Sequence, residues 1–180
     1  MKRFAELLLV VTLLGASPAP PRAIDPGGSR AQFSVSHIWV EHVTGTIPIV
    51  EGSVTLAPGS LVPTAATATF DPAKVSTGEP DRDRSLASPD FFDAQKYPHW
   101  TFTSTSIAAK GSDAFEMDGD ITIHGVTRPV RLDATVRGTE AHPEYRATGQ
   151  IDRHQFGMAV TRLDPTIGTT VGLTIDVTLK

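Results

Sequence analysis

The sequence predicts an all-β domain of about eight strands, closing into one antiparallel barrel with a single short helix near the barrel end. Three observations carry this. Short segments of alternating apolar and polar residues recur along the chain, Gly, Pro and Asp punctuate the gaps between them, and no helical repeat or low-complexity tract interrupts the pattern.

Ahead of the domain the chain opens with Lys2 and Arg3, runs almost wholly apolar from Leu7 to Leu14, and then meets Gly15, Pro18, Pro20 and Pro21. That is the order of a secretory signal peptide. A bilayer span needs about 20 apolar residues, and this run is shorter. Residues 1–23 are therefore expected to be a leader, cut after Ala23, with Ala19 as the other small-residue site; a periplasmic or secreted location follows. Residues 24–180 are enough for one domain with a full core. The absence of cysteine leaves no disulfide and no lipid attachment at an N-terminal cysteine. A net charge of -4 gives no basic footprint for nucleic acid or an anionic membrane.

In chain order, the strand segments lie near 31–39, 46–56, 64–71, 99–109, 114–124, 129–138, 144–153 and 170–180. In the first, Phe33, Val35, His37 and Trp39 share one parity. The stretch from Ser88 to Lys96 breaks the alternation: Ser88 suits an N-cap, Pro89 the first helical position, Asp90 and Asp93 the first turns and Lys96 the end, before Tyr97-Pro98 stops it. A short helix across the barrel end is expected there. Phe91 and Phe92 cannot face the same way on a helix, so at least one should pack inward. Trp100 and Phe102 follow on the next strand. Phe115, Met117, Gly119, Ile121 and Ile123 then alternate with polar residues, Val130, Leu132, Ala134 and Val136 repeat the rule, and so do Tyr145, Ala147, Gly149 and Ile151. The last strand is the clearest, with Val171, Leu173, Ile175, Val177 and Leu179 on one face and Thr174, Asp176, Thr178 and Lys180 on the other. Eight strands are the number that closes a small barrel, either filled by its own side chains or holding one ligand.

Small residues on the inward parity, Gly119, Ala134, Gly138, Ala147 and Gly149, either leave room for a ligand or relieve strand bending at barrel corners. The aromatics either line a tunnel or form plain core. His37 either meets a ligand's polar head or is a core histidine satisfied by protein partners. His124 reads as a turn residue beside Gly125. His37 and His42 fit no zinc spacing and face opposite sides of a strand, so no metal is expected. No cysteine, no Gly-x-Ser-x-Gly elbow and no serine, histidine and acid set suggest catalysis. Arg82-Asp83, in a loop of alternating charge, is either a solvated connection or a clamp that bonds loop backbone and fixes the helix over the barrel.

Two neighbouring blocks carry a family signature. The first has Arg82-Asp83, Leu86, Asp90-Phe91-Phe92-Asp93, Tyr97-Pro98 and Phe102-Thr103-Ser104-Thr105; the second runs from Gly119 to Val130 as Gly-Asp-Ile-Thr-Ile-His-Gly-Val-Thr-Arg-Pro-Val. With Ile24-Asp25, Ser34, His37, Gly45, Arg153 and Phe156-Gly157-Met158, the chain resembles the YceI-like, polyisoprenoid-binding proteins. Thr169-Thr170 departs from the acidic pair that members often carry before the last strand. The resemblance implies a lipocalin-like barrel that binds a long-chain isoprenoid or similar amphiphile outside the cytoplasm, without catalysis and without any cofactor besides that lipid. The residues then expected to line the ligand are Phe33, Val35, His37, Trp39, Phe91, Phe92, Trp100, Phe102, Met117, Ile121, Ile123, Leu132, Phe156 and Met158. Transient membrane contact and a homodimer are left open. The alternative is a filled barrel acting as a stress-response or interaction module.

Overall fold

The computed structural model of the chain describes residues 20–37, 41–158 and 164–180. Among them are ten strands: β1 (Arg22–Ala23), β2 (Arg30–His37), β3 (Glu41–Ile47), β4 (Ile49–Leu56), β5 (Pro63–Phe70), β6 (Trp100–Ala109), β7 (Ala114–Ile123), β8 (Val126–Gly138), β9 (Pro143–Asp152) and β10 (Ile167–Thr178). One helix, α1, covers Pro80–Ala87. All pairs are antiparallel in a single curled sheet of order β1-β4-β5-β6-β7-β8-β9-β10-β2-β3.

Ten strands replace the expected eight. The segment expected as one strand over 46–56 breaks at Pro48, where the fixed φ and missing N–H end one ladder and start another. β3 and β4 thus follow one another in the chain, joined through Pro48, but lie toward opposite ends of the sheet. Closure comes from the N-terminal side. β1 pairs with β4, Ile24 bridges Leu179, the Ile24 N–H donates to Gly52 O at 2.9 Å and the Lys180 N–H to Ala23 O at 2.9 Å. Two-residue β1 carries too little pattern to be read from sequence.

The alternation survives folding. From Phe115 to Ile123, β7 buries every second residue, and β8 does the same from Val130 to Val136. Their hairpin turns on His124 and Gly125, at φ 53° and 75°, a two-residue turn with both central residues left-handed. On the wet face, opposite charges stand in register: Asp118 against Arg131, Glu144 against Arg137 and Asp176 against Arg146. Arg146 donates to both Asp176 oxygens at 2.7 and 3.0 Å, and Arg131 to both Asp118 oxygens at 2.7 and 3.0 Å. These bonds hold both carboxyls below the usual carboxylate range.

The helix lies one segment earlier than expected. Pro80 occupies its first turn with Asp81 and Asp83, and Arg84 pairs with Asp81 near its end. Residues 88–97 form successive turns, with Asp93 at φ 43°. Sequence reasoning passed over α1 because Leu86 is its only large apolar residue, so it shows no amphipathic stripe. The turns free Phe91 and Phe92 from the helical constraint, and both face the barrel interior.

The small inward residues do not create the cavity. A Cβ on Gly119 would lie 2.4 Å from the Phe102 ring, and one on Gly149 would lie 2.6 Å from a Leu132 methyl. Each glycine is the seat of a large neighbour. Gly138 is exposed at the end of β8 and faces no interior.

Candidate ligand-binding cavity

The barrel interior divides into two spaces. The larger is a cavity of about 380 Å³ beneath α1 and the turns that follow it. Its walls are apolar, from β2 (Phe33, Val35), β6 (Trp100), β7 (Ile121, Ile123), β9 (Ile151) and β10 (Val171, Leu173, Ile175), with Phe91, Phe92 and Met158 from connections. Among the described residues, the polar members of its lining are Gln32, His37, Arg82, Ser85 and Arg153, with no carboxylate. Ser85 is exposed while lining the cavity, so the space reaches the surface beside α1.

The rim is built by hydrogen bonds. Thr77 donates to Asp83 Oδ1 twice, from its N–H at 2.8 Å and its hydroxyl at 2.6 Å. Arg82 donates from Nε to Thr77 Oγ1 at 2.8 Å and from Nη2 to Thr77 O at 3.1 Å. Of the two readings of Arg82-Asp83, the clamp is the one the structure bears out. Both residues stand on the helix itself and grip the strand-like segment before it, where Ser76 pairs with Thr46. Arg153 is buried and donates to three carbonyls, Gly168 O at 2.9 Å, Ile167 O at 2.9 Å and Met158 O at 2.5 Å. It ties the 3-10 turn Arg153–Phe156 to the start of β10, and its charge is solvated by backbone dipoles.

One side of the cavity is aromatic. Phe92 meets Trp100 edge-on at 4.7 Å between ring centres. Trp100 is buried, and its indole Nε1 finds no hydrogen-bond partner among the described residues. Phe33 lies over Gly45, where a Cβ would come within 2.4 Å of its ring; the glycine lets the ring lie back against β3 instead of crossing the cavity. His37 reaches the cavity with its ring 4.0 Å from Glu41, whereas His42 is exposed. Among the described residues no group of three or more His, Asp or Glu is placed to hold a metal.

The second space, about 70 Å³, lies at the other end of the barrel. Phe115, Met117, Leu132, Ala134, Tyr145 and Ala147 line it, and Ile24 closes it. The Tyr145 hydroxyl donates to Leu61 O at 3.2 Å, and burial pushes its pKa up to about 12.

Of the expected lining residues, the cavity brings together Phe33, Val35, His37, Phe91, Phe92, Trp100, Ile121, Ile123 and Met158. Phe102, Met117 and Leu132 line the smaller void, their strands carrying them past the cavity. Phe156 lines neither space. It ends the 3-10 turn, is 1% exposed within the hydrophobic core, and its carbonyl lies 3.2 Å from His124 Nδ1. His124 is a turn residue as expected, stacked on Tyr97 at 4.6 Å. Trp39 lies outside the described residues. Sequence reasoning missed Leu86, Ile151, Val171, Leu173 and Ile175 as lining residues, although the last four share the inward parity of strands it had identified.

A curled antiparallel barrel with an apolar cavity and a polar rim belongs to the lipocalin-like class of binding folds. Residues 23–179 match the model of the YceI-like domain, and the chain belongs to that family. A UPF0312 protein of Pseudomonas putida (strain W619) is 32% identical over 169 residues, 87% of each chain. Burkholderia cenocepacia BcnA shares the fold with a TM-score of 0.79 at 22% identity, over 87% of this chain and 99% of its own. A Saccharophagus degradans polyisoprenoid binding domain implicated in plant cell wall breakdown does so with a TM-score of 0.68 at 17% identity, over 88% and 97%.

Proposed function

We propose that this chain is an exported carrier that holds a long-chain isoprenoid or similar amphiphile by its tail, without turning it over, for transport, storage or sequestration. The observation that carries this is the cavity of about 380 Å³, apolar in its depth and polar at the rim where α1 meets the surface. A tail fills the depth while Arg82, Ser85 and His37 remain near the polar head. Burying roughly 300 Å² of apolar tail gains about 7 kcal/mol at 25 cal/mol per Å². Such a gain corresponds to a Kd on the order of 10 μM before ordering costs. Membership of the YceI-like family and the fold shared with a polyisoprenoid binding domain point the same way. The leader-like run up to Ala19 is the support for export, with cleavage there leaving Arg22 and Ala23 in the barrel as β1.

Native mass spectrometry of protein taken from a bacterial periplasm without detergent, with an organic extract of the same sample, tests this directly. A stoichiometric prenyl or acyl lipid is the expected result. A bare polypeptide mass, unchanged after incubation with polyprenyl lipids and quinones, would favour the filled-barrel interaction module.

A further inference from the structure

Four residues line both interior spaces: Phe70, Ile121, Leu173 and Ile175. They form a layer across the barrel where the wide cavity of about 380 Å³ ends and the void of about 70 Å³ begins. Phe70 closes β5 in register with Trp100 on one side and Ile49 on the other, so its backbone is held from both flanks. Phe70 and Ile121 are each 7% exposed. Beyond this layer Tyr145 bonds Leu61 and Ile24 bridges Leu179, which brace the far end of the barrel.

From this layering we infer that Phe70 and Ile121, backed by Leu173 and Ile175, are a length gate that sets how long a tail the barrel accepts. The inference rests on the reading that the cavity holds a lipid tail. A volume of about 380 Å³ stands at the low end of small-molecule pockets, roughly 300–1,000 Å³. It suits a tail of a few isoprene units more than a full polyprenyl chain. A longer tail goes deeper into the barrel through the layer, into the void lined by Met117, Leu132, Ala134 and Ala147. Close-packed interiors hold few voids of that size, and one aligned with a cavity across a single layer of side chains extends it as soon as that layer is thinned. The gate is apolar on both sides, so it discriminates by length and not by chemical type.

The test is a binding series with geraniol, farnesol, geranylgeraniol and solanesol, read by tryptophan fluorescence and native mass spectrometry on the whole protein. Wild type is expected to bind best at an intermediate length and to lose affinity at solanesol. Phe70→Ala is expected to shift the preference toward the next longer alcohol by roughly tenfold relative to geraniol, the scale on which a hydrophobic site responds to added space. Adding Ala134→Leu, at a position that lines only the void, should reverse that gain. Ile121→Val replaces Phe70→Ala if the latter fails to fold by circular dichroism. A wild type as tight for solanesol as for farnesol overturns the gate, as does a folded variant with unchanged length preference or a gain that survives Ala134→Leu. A wild type that binds no prenyl alcohol at all overturns the carrier reading, and the gate with it.

Discussion

The two halves of the barrel follow the same alternation of apolar and polar residues, yet one encloses a cavity of about 380 Å³ and the other, more closely packed, a void of about 70 Å³. In the closed half, large side chains sit on small ones: Phe102 over Gly119 and Leu132 over Gly149, with Phe115 edge-on to Tyr145 at 6.3 Å. In the open half the wall is completed by α1, by the turns at 88–97 and by the 3-10 turn at Arg153–Phe156 in place of strands. Those connections lie over the barrel end and do not fill it. Strand pattern therefore decides which residues face inward, and the connections decide whether the inside is occupied.

The largest expected difference between the halves is the cost of truncation. Phe115→Ala removes a ring that is 3% exposed in the packed half and should cost about 3–5 kcal/mol. Phe33→Ala borders existing space and should cost about 2 kcal/mol or less by urea unfolding, while weakening lipid retention more than Phe115→Ala does. Similar stability losses at both sites would break the comparison.

Filling a ring's seat should sharpen it. A Cβ at Gly119 meets the Phe102 ring at 2.4 Å and the Thr103 carbonyl at 2.7 Å, so Gly119→Ala should destabilise by about 1–3 kcal/mol. Gly45→Ala also displaces a ring, but Phe33 can swing into the cavity. Its stability cost should be smaller, and its main effect should be reduced lipid occupancy in native mass spectra.

Next in size is the rim. Asp83→Asn leaves Thr77 facing a weaker acceptor and should cost about 1 kcal/mol. Faster exchange of a bound fluorescent prenyl probe is expected, with unchanged equilibrium content of strand by circular dichroism. No change in exchange rate would mean that α1 does not control entry.

The smallest effect belongs to the wet face. The folded-state pKa values of Asp118 and Asp176 are depressed. Their contribution is thus present above the ordinary carboxylate range and is lost as pH falls through the folded-state values. Asp176→Asn should flatten the stability profile only in the acid region, and only slightly because the pair is exposed. Lipid retention at neutral pH should match wild type.

Where the sequence was legible, one physical signal acted alone. The β7–β8 hairpin was readable because burial on one face imposes a period of two and His124-Gly125 supplies the turn, and β10 because its apolar residues alternate in sequence. The break at Pro48 divided what looked like one strand, since proline at a sheet corner and proline at a strand edge look alike in sequence. α1 was hidden because its stability comes from Thr77, Asp83 and Arg82 and not from an apolar face. Nine of the fourteen lining residues meet in the cavity. Phe102, Met117 and Leu132 face inward as expected but line the smaller void, because parity reports which face a residue takes and says nothing of its height along the barrel. The role of the small residues was misread for a related reason: an inward glycine is space only if no neighbour already occupies it.

The Ile24–Leu179 bridge has a consequence for orientation. Arg22 donates to Glu140 O at 2.7 Å, to Ala141 O at 2.8 Å and to Lys180 O at 3.3 Å, gathering both sequence-distant edges of the domain at the closed end. The mouth beside α1 lies at the other end. Whatever grips the protein through residues near 22 or 180, an immobilising resin or a fused partner, holds it like a cup by its base, with the opening turned outward to load and unload.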